Sequence, residues 1–355
     1  MTQQSNQPHT RWEAIDAIRG IAALFVVLFH YTLRKPQAKL GFYLGVSCVD
    51  IFFLLSGFVI FFSLDRVQNW KEFLWKRFTR LYPAYWICML ITGSVLYYYF
   101  DSKSPSPFPF LWRFLTNMTM FQSWFNQKDL DGPYWTLIIE LQFYILMALF
   151  LSLNYLKKFI DLGIFIVLGC FIYGLDNSHI YFSNFYNFLG KYIPLINHFP
   201  VTFAGVLFYF LSKDFKNTKI YIYLIITFLV QLTLFNDGGR AHMYMPFEQY
   251  ILTLSCYYIL MALLIVHKIN FIALKPLLFL GKKSYPLYLL HQYLGLWVMI
   301  PILTKTYHIH FWWACAISIF VIIIISYLIN KFIEIPINQR LNKWYTQKFR
   351  QKSNN

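Results

Sequence analysis

Two ionisable residues in the first hydrophobic segment, Arg19 and His30, stand 11 positions apart with only apolar residues and one glycine between them. At about 100° per residue they return to within ~20° of the same face of an α-helix. A rise of ~1.5 Å per residue separates them by roughly 16 Å along the axis. Charge inside hydrocarbon is costly and by default marks function. An imidazole takes and returns a proton near neutral pH, which suits general base chemistry. Two carboxylates are placed to assist it. Asp50 and Glu140 each sit 7 residues into an apolar run, one starting at Tyr43 and the other at Pro133. That places both roughly 10 Å below the same membrane surface. A carboxylate facing the ring fixes its tautomer and raises its basicity. His30, Asp50 and Glu140 are therefore the candidate catalytic residues. The plainer alternative is that they pair to hold helices together.

A second polar layer lies toward the other surface. The segment from Trp70 to Arg80 reads as an amphipathic interfacial stretch. Arg77 and Arg80, at i and i+3, share a face, and two guanidinium forks so placed suit phosphate oxygens. The same residues could instead bind anionic lipid and set topology. Arg19 and Asp16 sit at this surface too. His291 follows at the inner end of a later span and by itself reads as a buried core histidine.

Elements that can position such groups must be transmembrane helices. The chain has 355 residues, 58% hydrophobic and 13% charged, against about 25% charged in soluble domains. Apolar runs near 17–33, 43–64, 81–100, 134–153, 159–175, 193–211, 219–235, 248–267, 285–303 and 311–330 each approach the ~20 residues a helix needs to cross a bilayer. The expected fold is an all-α integral membrane protein of about ten transmembrane helices. Residues 1–336 form one transmembrane domain and 337–355 a basic cytoplasmic tail. The run at 20–29 reads as an uncleaved signal-anchor. With the N-terminus inside, 22 Lys and Arg fall on the inner side and 9 on the outer, which favours both termini in the cytoplasm.

The net charge of +16 does not indicate nucleic acid, because the cations lie in short loops between apolar segments and not on one basic face. Cys48, Cys88, Cys170, Cys256 and Cys315 form no close pair and read as core residues. No metal site is expected. His308-Ile-His310 is a short loop pair, and no nucleophile elbow, phosphate loop or dinucleotide fingerprint occurs.

Several motifs together resemble the membrane acyltransferase type 3 family. They are Asp16-Ala-Ile-Arg-Gly-Ile-Ala-Ala with its Arg-to-His spacing, Gly45-Val-Ser-Cys-Val-Asp-Ile-Phe-Phe-Leu-Leu-Ser-Gly-Phe58 and Arg77-Phe-Thr-Arg-Leu-Tyr-Pro-Ala-Tyr85. Trp135-Thr-Leu-Ile-Ile-Glu-Leu-Gln-Phe-Tyr144, Gly281-Lys-Lys-Ser-Tyr-Pro-Leu-Tyr-Leu-Leu-His291 and Phe332-Ile-Glu-Ile-Pro336 follow in order. The stretch 155–275 carries no motif, so acceptor choice is expected there.

The resemblance implies transfer of an acyl group, most often acetyl, from cytoplasmic acyl-CoA to a hydroxyl of a surface or exported carbohydrate such as O-antigen, capsule or peptidoglycan. It implies a bacterial cytoplasmic membrane, a catalytic His30 and a donor site at Arg77 and Arg80 with a donor-side role for His291; Arg19, at the same surface, is expected to help hold the donor. Some relatives carry a fused extracytoplasmic domain. Here 19 residues follow Pro336, so a partner activity is expected from another chain. The donor's thin arm is expected to run along the Arg19–His30 stripe, with Gly20 and Ala23 leaving room for it. Trp112, Trp124 and Trp135 in or near loop 101–133 are candidates for acceptor docking. A direct transfer and a covalent acyl-His intermediate both fit. Competing readings are a proton-coupled transporter or flippase, a membrane scaffold, and an acyltransferase acting on a lipid or small lipophilic molecule.

Overall fold

A computed structural model describes residues 12–38, 41–101, 108–175, 183–236 and 240–350. Arg11, Lys39, Lys103 and Lys352, used above for orientation, lie outside them, as does part of loop 101–133. Among the described residues all regular structure is helical. Each of the ten apolar runs holds a helix: α1 (Glu13–Thr32), α2 (Cys48–Leu64), α3 (Trp70–Leu96), α5 (Trp135–Ser152), α6 (Phe159–Tyr173), α8 (Phe199–Leu211), α9 (Thr218–Thr233), α10 (Phe247–Ile265), α11 (Lys275–Leu290) and α12 (Phe311–Ile329). Three more helices fall between or after these, α4 (Phe108–Asn117), α7 (Ser183–Tyr192) and α13 (Ile335–Tyr345). Among the described residues six helical stretches are long and apolar enough to cross a membrane, while Phe199–Leu211 and Thr218–Thr233 are apolar but shorter.

Two of these boundaries differ from the expectation and matter for the site. The amphipathic segment before residue 81 is not a separate surface element. Asn69 caps a helix there, its side chain accepting from the Glu72 N–H at 3.0 Å. The Glu72 carboxylate in turn accepts from the Gln68 N–H at 3.0 Å. This reciprocal cap starts α3 at Trp70, and the helix then runs unbroken for 27 residues through both arginines. The second shift is in α11. It starts at Lys275, so 16 residues precede His291, a climb of roughly 24 Å. His291 therefore lies deep in the bundle rather than near the inner end of its span.

Close helix approach fixes the bundle. A side chain at Gly281 would put its Cβ 1.8 Å from the Asp16 carbonyl oxygen, and one at Gly20 would meet the Leu277 carbonyl at 2.7 Å. Small residues at such contacts let backbones touch where apolar lipid supplies no hydrophobic drive. Gly20 is thus filled by α11, not left open as room for a donor arm, and Ala23 is fully buried beside it. Asp16 meets Gly281 at one end and His30 meets His291 at the other, so α1 and α11 run parallel. Helices α2 and α8 are also parallel, with Asp50 near His198 and Asp65 bonded to Tyr209. Helices α3 and α5 are antiparallel, joined by Tyr85–Tyr134 and Phe73–Tyr144 ring contacts.

The C-terminal stretch is not a loose tail where it is described. In α13, Tyr345 stacks on Trp75 and Trp344 lies tilted against it, and the Trp75 indole donates to the Leu341 carbonyl at 3.3 Å. Four cysteines are buried as expected, while Cys256 is exposed on α10.

Candidate active site

Arg19, Arg77 and Arg80 converge with Glu140. The cavity they line also includes Leu55, Ser56, Val59, Ile60 and Tyr144. Arg77 is buried; its guanidinium donates to the Ser63 hydroxyl and lies over the rings of Phe73 and Tyr144, 5.3 and 5.4 Å from their centroids. The Tyr144 hydroxyl donates to Glu140. Arg19 feels the charges of Arg80, Glu140 and Asp16, and Arg80 those of Glu140, Glu334 and Asp16. Three guanidiniums and the Glu140 carboxylate line this cavity, with Asp16 and Glu334 close enough to be felt. Clustered guanidiniums inside a membrane are costly and by default mark a functional site.

Glu140 was expected beside His30. It lies instead among the arginines, because α5 turns this face toward α1 and α3. Equal depth in sequence carries no information on helix rotation. Asp50 does line the cavity that holds His30. Its nearest ionisable partner, however, is His198, with Nδ1 3.6 Å from the carboxylate and both residues buried. Tyr250 also lies close enough to Asp50 to feel its charge. No carboxylate hydrogen bonds to His30 among the described residues. Its ring contacts are Phe29, at 4.8 Å between centroids, and His291, at 5.0 Å.

Neighbouring cavities lie between the two layers. The inner cavity shares Arg19, Ser56 and Glu140 with a middle one lined by Val49, Phe52, Phe53, Thr136, Leu137, Ser284, Tyr285 and Tyr288. The middle cavity shares Val49 and Tyr288 with the outer one, whose wall carries His30, Asp50, His198, Trp135 and Arg240. A line of contiguous cavities therefore leads from the guanidiniums to the imidazole.

Of the three tryptophans proposed for acceptor docking, Trp135 reaches this outer cavity, where the Arg240 guanidinium lies 5.3 Å from its ring. Trp124 is held by a 3.0 Å bond to the Tyr192 carbonyl, and Trp112 is exposed against Phe125. His198, Tyr144, Tyr288 and Arg240 belong to the site without having been singled out by sequence. An ionisable residue just before Pro200, at the entry of an apolar run, was the available signal for His198.

At the loop after α4, outside the spans, burial pushes the Asp131 carboxyl up to about 8. Its Oδ2 accepts from the Tyr293 N–H at 3.2 Å, beside the cavity-lining Gly132.

Fold and site together describe a multi-helix membrane protein with an interior arginine cluster and, along a row of neighbouring cavities, a histidine. Comparison with known proteins gives the particular class. A family model described as an acyltransferase domain matches residues 12–331, and the chain belongs to this acyltransferase family, as its motifs implied. The O-acetyltransferase OatA of Staphylococcus aureus (strain NCTC 8325 / PS 47) is 28% identical over 325 residues, covering 78% of this chain and 49% of the relative. A putative O-acetyltransferase of Staphylococcus aureus (strain COL) is 27% identical over 327 residues, with 78% and 49% covered. A putative acetyltransferase of Acidianus two-tailed virus is 28% identical over 161 residues, covering 45% of this chain and 47% of its own. The chain spans about half the length of the curated relatives it matches. No solved structure matches it.

Proposed function

We propose that this chain is an integral-membrane O-acyltransferase that moves an acyl group, acetyl by preference, from cytoplasmic acyl-CoA to a hydroxyl of a surface or exported carbohydrate. The observation that carries this reading is the line of cavities between the arginines and His30. Coenzyme A is a large anion that cannot enter hydrocarbon. Arg19 and Arg80 hold its phosphates, with Arg77 fixed behind them by Ser63 and the two rings. Paired guanidiniums suit that task by charge and by fork geometry. The thin pantetheine arm passes Ser56, Val49 and Tyr288 to present the thioester at His30.

His30 takes the proton from the acceptor hydroxyl as its oxygen bonds to the acyl carbon. The carbon–sulfur bond then breaks and the thiolate recovers that proton. Asp50, balanced by His198, shapes the field of the outer cavity, and Trp135 with Arg240 forms the wall against which a sugar ring rests. The named activity of the OatA relative supports acetyl as the group. The Lys and Arg bias, together with the alternating helix directions, supports ten spans with both termini inside; the family match over residues 12–331 supports a single domain over residues 1–336, and the Staphylococcus aureus relative supports a bacterial cytoplasmic membrane.

The test is acetyl-CoA turnover by the purified chain with an oligosaccharide acceptor. His30→Ala is expected to insert and elute normally but to form no acetylated product. Full transfer by that variant refutes the reading, and so does wild-type protein that never releases CoA.

A further inference from the structure

Among the described residues His30 has no carboxylate partner of the kind its expected role calls for. Asp50 faces His198 and Tyr250, Glu140 faces Tyr144 and the arginines, and Asp131 accepts from the Tyr293 backbone. Of the two rings that pack on His30, Phe29 carries no polar atom and the other is His291, 5.0 Å away between centroids and inclined by 45°.

The state of His291 follows from its surroundings. Its Nδ1 lies 2.7 Å from the Tyr288 carbonyl oxygen. A carbonyl only accepts, so Nδ1 carries the hydrogen and, in the neutral ring, Nε2 carries a lone pair. That Nε2 is fully buried and has no hydrogen-bond partner among the described residues. A buried acceptor left unmade is unfavourable by about 1–3 kcal/mol, so a partner is expected. Histidine χ2 is a soft torsion, and the neighbouring His30 ring, its centroid 5.0 Å from that of His291, is placed to supply the missing N–H. The backbone holds the two rings in register, because Gly281 against Asp16 locks α11 to α1 one end away. The helix also widens to π geometry from His291 to Met299, a distortion frequent at functional sites.

We propose that His291 is the positioning residue of His30: its Nε2 accepts a hydrogen bond from one ring N–H of His30 and leaves the other His30 nitrogen free to act as base in the outer cavity. This rests on the reading that His30 takes the acceptor proton. A neutral imidazole does here what a carboxylate does in many hydrolases, setting the tautomer, without placing a further negative charge in the membrane interior. When His30 is protonated, its second N–H still donates to His291, so the pair holds its geometry through the transfer. This differs from the donor-binding role that the motif around His291 suggested.

The experiment uses the full chain purified in detergent, with acetyl-CoA and an oligosaccharide acceptor. His291→Phe keeps ring volume but removes the acceptor atom. It is expected to lower kcat by about 10²-fold with the KM for acetyl-CoA within about twofold. His291→Gln, whose amide oxygen can accept the same bond, is expected to recover at least part of that loss. Combining His291→Phe with His30→Ala is expected to add nothing to His30→Ala alone, as for groups acting as one unit. If His291→Phe does not elute as a folded protein, His291→Asn, too short to reach, supplies the contrast with Gln. A loss that falls on the KM for acetyl-CoA, an equal loss in Gln and Phe, or an additive double variant overturns the proposal. Full activity of His30→Ala removes this inference and the proposed function together. Inactive His30→Ala with unimpaired His291→Phe removes this inference alone.

Discussion

Arg80→Gln offers a quantitative test of the donor site. Arg80 lines a cavity with Arg19, Arg77 and Glu140 and also feels Glu334 and Asp16. Arg77 is already committed to Ser63, Phe73 and Tyr144, which leaves Arg19 and Arg80 to answer the donor's phosphates. A hydrogen bond to a charged group is worth about 1.5–3 kcal/mol, or roughly 10- to 100-fold in affinity. Arg80 also repels Arg19, so its removal relieves some strain in the empty site and brings the net effect to about tenfold. Glutamine keeps much of the side-chain volume, so the fold is expected to persist. The assay compares acetyl-CoA with acetyl-pantetheine, a donor that lacks the nucleotide and its phosphates. Arg80→Gln should weaken binding and raise KM for acetyl-CoA about tenfold, leaving kcat and all constants for acetyl-pantetheine unchanged. An equal loss on both donors, or a loss confined to kcat, refutes the assignment of these arginines to the phosphates.

Two further outcomes follow from packing and charge. Gly281→Ala places a Cβ 1.8 Å from the Asp16 carbonyl, so α1 and α11 must separate. Overpacking of this kind destabilises by about 1–3 kcal/mol, and a displacement of ~1 Å between reacting groups slows catalysis by about 10²-fold. A lower thermal midpoint with a lower kcat is expected, and unchanged values in both measurements would show that the close approach is not needed. Asp131 gives a pH dependence whose sign is fixed by burial. Its carboxyl is pushed up to about 8 in the folded chain, against ~3.9 when unfolded. Between those values the folded state binds more protons, so stability falls as pH rises through that window. Asp131→Asn should flatten this fall in unfolding midpoints measured from about pH 5 to about pH 9. Parallel curves for the two proteins would count against it.

What was legible in sequence was local in origin. An apolar run of sufficient length in lipid must satisfy its own backbone hydrogen bonds, so it becomes a helix wherever it lies. All ten runs accordingly hold helices. The Arg19–His30 stripe follows from helix periodicity alone, and both residues line the joined cavities. Arg77 and Arg80 share a face because they are three residues apart in one helix.

Contacts between helices required the tertiary structure. Whether Asp50 faces His30 or His198, and whether Glu140 faces the imidazole or the arginines, depends on rotation about each helix axis. Residue depth does not encode that rotation. The position of His291 turned on where α11 begins, since ten residues of shift in a helix start move a side chain by roughly 15 Å. Gly20 looked like room for a ligand and is in fact the contact that lets α11 approach α1. Sequence specifies which residues a helix carries; only packing against particular neighbours decides which of them meet.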